Sequence, residues 1–107
     1  NPTAIEGQVE GGVVMGLGYA LTEDYPIEGG YPKAKYGTLG LLRATESPAI
    51  ETIMVKSDQV SSEAYGAKGI GELSTIATAP AVHNAYYRFD DVFRTKLPLE
   101  RTAYRKS

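Results

Sequence analysis

An α+β fold, two helices packed on a small mixed β-sheet in two layers, is what the sequence predicts, and three observations carry it. Apolar residues recur every fourth position near the N-terminus, a second stretch repeats alanine at the same spacing, and short β-branched runs stand between turn-forming segments. At 107 residues and 11.5 kDa the chain is read as one domain, 1–107. Area scaling predicts that folding buries roughly two-thirds of the extended chain's surface, enough for a modest core.

The first helix is expected over Ile5 to Glu23, where Val9, Val13, Leu17 and Leu21 form one stripe with Ala20 at its edge. Gly7, Gly11, Gly12, Gly16 and Gly18 oppose it, each costing about 1 kcal/mol relative to Ala inside a helix. Such a helix makes sense where a second backbone or a ligand comes too close for a Cβ. Asp24 to Gly40 is crowded with glycine and proline and reads as an extended surface loop. Ile50 to Lys56 (IETIMVK) is the strongest strand candidate. A second helix is expected from Ser74 to Tyr87, with Ala77, Ala81 and Ala85 as a small-residue stripe admitting a close neighbour. Pro80 falls inside it, so the helix either bends there or starts later. Val92 to Leu99 (VFRTKLPL) is a second strand candidate, and Glu100 to Ser107 is a charged tail.

Composition excludes several functions. Without cysteine the chain can hold no disulfide, thiolate zinc site or iron–sulfur cluster, and it has no thiol nucleophile. A single histidine, His83, gives no imidazole cluster for a metal, so no metal ligands are assigned. The net charge of −2 lacks the basic footprint of nucleic-acid binding. The longest apolar stretch, Val13 to Leu21, is too short for a bilayer, and no signal peptide appears; a cytoplasmic location is expected. The start, Asn1-Pro2-Thr3, lacks an initiator Met, which reads as a piece of a longer polypeptide.

Gly66-Ala67-Lys68-Gly69-Ile70-Gly71-Glu72 is a glycine-rich loop ahead of a helix, where free N–H groups and the Lys68 charge suit an anion; a plain structural turn is the other reading. Neither the Walker nor the Rossmann spacing is present. Glu72 closes the loop, placed either to act as a general base or to cap the helix. Gln8, near the start of the first helix, offers donor and acceptor to a polar heterocycle, or else belongs to a solvated first turn with Glu10. His83 reads as structural, and Asp90-Asp91 and Arg105-Lys106 as solvated charge.

The order EGQVEGGVVMGLGYALTE (Glu6 to Glu23), GAKGIGE (Gly66 to Glu72) and HNAY (His83 to Tyr86) resembles the C-terminal part of the molybdopterin-binding subunit of the xanthine dehydrogenase and aldehyde oxidase family of molybdenum hydroxylases. Lys96-Leu97-Pro98-Leu99 is similar to that family's terminal Leu-Pro segment. The resemblance implies the α+β architecture of a molybdenum cofactor-binding domain. It also implies molybdenum held by the dithiolene of a molybdopterin, either as such or as a dinucleotide, rather than by side chains. Glu72 would be the general base as a purine, N-heterocycle or aldehyde C–H carbon is hydroxylated with water-derived oxygen. Gln8 would contact the pterin, and Lys68, Gly69 and Gly71 would lie against the cofactor. The implied partners are the remainder of the molybdenum subunit, iron–sulfur and flavin domains or subunits, and a small-molecule substrate. This piece by itself is expected to be inactive. Leu73-Ser74 follows Glu72 where many relatives have Pro or Ser directly, and Phe89-Asp90-Asp91-Val92 stands where relatives often have a glycine turn. Two other readings compete: a free-standing, non-catalytic module that binds a partner or forms a homo-oligomer through its glycine face, and a generic phosphate-binding domain built on Lys68.

Overall fold

The computed structural model describes residues 1–56 and 62–104, so Arg105-Lys106 lies outside the described residues. In chain order it contains helix α1 (Pro2–Leu21), a hairpin of β1 (Ile27–Glu28) and β2 (Tyr31–Pro32), three short 3-10 turns, and helices α2 (Leu73–Ile76) and α3 (Thr78–Asp90). The class is α+β, as the sequence predicts. Its sheet is an antiparallel two-stranded hairpin rather than a mixed sheet, and among the described residues the helices pack on one another.

Helix α1 starts earlier than the apolar spacing suggests because its cap lies ahead of the first apolar residue. The Asn1 side chain accepts from the Ala4 N–H, and Pro2 occupies the first turn, where a missing donor costs nothing. It ends at Leu21, where the Thr22 N–H and hydroxyl both donate to the Gly18 carbonyl. Val9, Val13 and Leu17 are half-buried and Leu21 is buried, so the period-four stripe does face inward. Met15 and Tyr19, on other faces, stay exposed.

The second helix is two. A break at Ala77 separates α2 from α3, which puts Pro80 within the first turn of α3, where proline is tolerated. The predicted alanine stripe does not meet a neighbour: Ala77, Ala81 and Ala85 are exposed, and α3 instead turns Ala79, Val82 and Tyr86 inward. Ala79, Val82 and Tyr86, spaced three and four apart, form the α3 face that packs against Ala20, Leu21 and Leu99. Asp91 ends α3 in a left-handed conformation, φ 55°, its N–H donating to the Tyr87 carbonyl at 2.8 Å.

Neither predicted strand has a ladder partner among the described residues. Val92 to Leu99 curls because the Arg94 guanidinium draws in the carbonyls of Val92, Glu100 and Arg101. Its end docks on α1, with the Leu99 N–H donating to the Ala20 carbonyl at 2.7 Å. The predicted loop 24–40 contains the hairpin, made possible by consecutive glycines at the tip: Gly29 and Gly30 have φ of 59° and 82°, the pairing a two-residue hairpin turn needs.

The core is smaller than expected. Ala20, Leu21, Ala79 and Leu99 are its buried apolar residues, with Leu17, Val82 and Tyr86 against them. The accessible surface is 8879 Å², where a folded monomer of this mass shows about 5,800 Å². No helix among the described residues is long and apolar enough to cross a membrane.

Candidate functional site

Two glycines of α1 decide where the Gly66–Glu72 loop sits. A Cβ on Gly12 would collide with the Ser74 hydroxyl, and one on Gly16 would lie 2.6 Å from Thr78 Cβ. Glycine at these positions lets α1 touch the α2–α3 junction directly. The close neighbours are the side chains of Ser74 and Thr78 rather than a second backbone or a ligand; at Gly7 and Gly11 a Cβ would meet nothing within 4 Å.

With the helices this close, Gln8 reaches the loop. Its Nε2–H donates to the Gly71 carbonyl at 2.6 Å, and its own main-chain carbonyl accepts from the Ser74 hydroxyl at 3.3 Å. Gln8 and the adjacent Gly71 and Glu72, more than sixty residues further along the chain, are therefore brought together. Ser74 is a residue of this contact that the motifs do not single out, although its position just past the loop marks the start of a helix.

Gly69 and Gly71 are exposed, and a Cβ on either would meet nothing within 4 Å, so the peptide groups of this loop border open space. Lys68 is exposed, and among the described residues its ammonium makes no ion pair or hydrogen bond. The loop is entered through Ala64 and Tyr65, both with positive φ (49° and 53°). The helix after it has only four residues, so the expected dipole contribution at its start is that of a single turn. Glu72 sits at the cap position of α2, but its carboxylate makes no capping hydrogen bond; its main-chain carbonyl receives the Thr75 N–H and hydroxyl.

Glu72 also lines a cleft of about 870 Å³ between α1, α3 and the segment Phe93–Leu99. Met15, Tyr19, Ile76, Phe93 and Leu97 make most of the wall apolar, and all five are at least 42% exposed. A free carboxylate at an apolar wall can take up a proton from a bound polar molecule. His83, on the same wall, is committed elsewhere: its Nε2–H donates to the Arg94 carbonyl at 2.9 Å and its ring meets Phe93 edge-on. That matches its structural reading.

The third wall hangs on Arg94, 8% exposed, which sequence reasoning places in a strand. Its guanidinium pairs with the Asp90 carboxylate through two hydrogen bonds, one of 3.1 Å, and lies 5.2 Å from the Tyr86 ring centre. Asp90 is thus an ion-pair partner rather than solvated charge, and the Arg94 hydrogen bond holds its carboxyl below the usual carboxylate range. No helical spacing flags the pair, because Arg94 lies past the end of α3, beyond the left-handed Asp91. No group of three or more His, Cys, Asp or Glu able to hold a metal ion occurs among the described residues.

Residues 1–48 match the model of the molybdopterin cofactor-binding domain. The chain is 36% identical over 107 residues to the xanthine dehydrogenase molybdenum-binding subunit of Escherichia coli O157:H7, covering 92% of this chain and 13% of that one. It is 31% identical over 102 residues to a probable xanthine dehydrogenase subunit of Bacillus subtilis (strain 168), covering 94% and 14%. It is 36% identical over 87 residues to the nicotine 6-hydroxylase large subunit of Paenarthrobacter nicotinovorans, covering 79% and 10%. The chain spans about one-seventh or less of the length of these relatives.

Proposed function

We propose, from the premise that this chain belongs to the molybdopterin-binding subunits of the xanthine dehydrogenase and aldehyde oxidase family, that it carries the catalytic base and part of the cofactor site of a molybdenum hydroxylase. The observation that carries this reading is the Gln8–Gly71 hydrogen bond, which sets the glycine helix against the loop and leaves the Glu72 carboxylate, unpaired among the described residues, at the cleft.

The residues present fit a molybdopterin. Its pterin is a polar heterocycle and its phosphate an anion; the open peptide edge at Gly69 and Gly71 leaves room that a Cβ would narrow, and Lys68 supplies a cation with no competing partner among the described residues. Gln8 spends one amide N–H on the Gly71 carbonyl, so its second N–H and its amide oxygen are the groups left to meet a polar heterocycle. When bound, the molybdenum that the pterin's sulfur atoms carry supplies an activated oxygen nucleophile and an electron sink.

This chain's own work in the reaction is proton transfer and positioning. Glu72 accepts the nucleophile's proton at a carboxylate oxygen beside the apolar wall of the cleft. Gln8 fixes the loop, so Glu72 does not wander from its place. The substrate is a small molecule with an electrophilic C–H carbon, a purine, an N-heterocycle or an aldehyde, and the product carries oxygen from water. The remaining cofactor contacts come from the rest of the molybdenum subunit, and electrons leave through iron–sulfur and flavin domains or subunits. Glu72→Gln in the complete enzyme tests the assignment. Turnover falls at least about 100-fold while molybdenum content stays near normal; turnover kept within a few-fold would remove Glu72 from the role.

A further inference from the structure

Ile50–Lys56 has the makings of a strand and no strand beside it. From Ile50 to Val55 exposure alternates: Ile50 and Thr52 are half-buried and Met54 is 41% exposed, whereas Glu51, Ile53 and Val55 are exposed, the last two at 80% and 88%. A period of two is how a pleated strand distributes its side chains. Yet among the described residues no peptide N–H or C=O from Ile50 to Lys56 makes a hydrogen bond to other backbone. Among the described residues the Thr52 hydroxyl is buried without a hydrogen-bond partner. Such a row of unpaired groups is the template on which a further strand is laid.

What lies there is indicated by the other face. Ile53 and Val55 make the outward face apolar as well, and apolar residues on both faces are the composition of a strand covered on both sides within a larger sheet. The surface of 8879 Å², about half as large again as a folded monomer of this mass shows, leaves ample area for such cover. The relatives extend far beyond the stretch matched, since the chain spans 13–14% of the two xanthine dehydrogenase subunits while matching them over 92–94% of itself.

We infer that Ile50–Lys56 pairs, edge to edge, with a β-strand contributed by the remainder of the molybdenum subunit. The inference rests on the family reading above but not on the role of Glu72. Pairing converts the idle peptide groups into a ladder and brings polypeptide over Ile53 and Val55.

Amide hydrogen exchange, residue by residue, tests it in this chain alone and in the full-length molybdenum subunit that contains it. In the subunit, at least every second amide from Ile50 to Lys56 exchanges about 100-fold more slowly than in an unstructured peptide. In the chain alone these amides exchange at unprotected rates at every protein concentration, while those of α1 mark the folded part. Unprotected amides in the full-length subunit overturn the inference. Protection that rises with concentration in the chain alone overturns it too, because it identifies a second copy as the partner. Glu72→Gln leaves the exchange pattern unchanged, so lost turnover and lost protection report separately on the two readings.

Discussion

The region made of α1, α2, α3 and Phe93–Leu99 and the stretch from Asp24 to Lys56 use the same materials, glycine and β-branched or aromatic apolar residues, to opposite effect. In the first, Gly12 and Gly16 are points of contact, Arg94 is sealed in, and Ala20, Leu21, Ala79 and Leu99 supply the whole buried apolar core of the described residues. In the second, Gly29 and Gly30 only turn the chain into open space, and Tyr31, Ile53 and Val55 are three-quarters exposed or more. Gly40 is the exception: a Cβ there would strike the Thr22 carbonyl, which ties the loop's end back to the helix. Stability is therefore concentrated where the C-terminal end of α1 meets α3 and Leu99, and the stretch 24–56 draws little from this chain itself.

The largest test of that contrast is Gly16→Val. Overpacking against Thr78 costs about 3 kcal/mol, read as a lower urea midpoint with an unchanged slope; Gly7→Ala, which meets nothing, stabilises by up to about 1 kcal/mol. Equal effects at the two positions would erase the distinction between contact and open glycines.

A smaller effect is expected at the Asp90–Arg94 pair. The Arg94 hydrogen bond lowers the Asp90 pKa in the folded chain below the 3.8 of an unpaired carboxyl. Its stabilising contribution is therefore complete well above pH 3.8 and is lost as pH falls through the lower folded value. Asp90→Asn melts about 5 °C below the parent at pH 7, and the gap narrows on acidification into that range. A gap that stays constant with pH would assign the loss to packing instead of charge.

The smallest change belongs to the other region. Val55→Thr in this chain alone shifts stability by less than about 0.5 kcal/mol, and the same substitution in the full-length subunit costs more. Chemical denaturation of both checks it.

How much of this was legible in the sequence follows the same division. The α+β class, α1 and the pairing of its glycines with a close neighbour come from spacing, since residues four apart share one face of a helix whatever surrounds it. Pro80 signals a late helix start for a local reason, its missing N–H. Motifs single out Gln8, Gly71 and Glu72, but that Gln8 spends its amide on the Gly71 carbonyl depends on how two helices dock, which no local pattern encodes. Ile50–Lys56 has the composition of a strand and no ladder, because a strand is a property of two segments and only one lies among the described residues. Arg94 escapes notice because most of its partners are main-chain carbonyls, which every residue has.

The Gln8–Gly71 bond has a kinetic corollary. It joins residues 63 apart in sequence, so the site cannot assemble by local folding, and its formation waits on closure of about three-fifths of the chain. Contacts of such separation slow folding, yet the entropy of closing the loop rises only by about 0.6 kcal/mol for each doubling of its length. The segment between the two halves of the site can accordingly grow or change its sequence at small thermodynamic cost, so long as the glycines at which the helices meet are left alone.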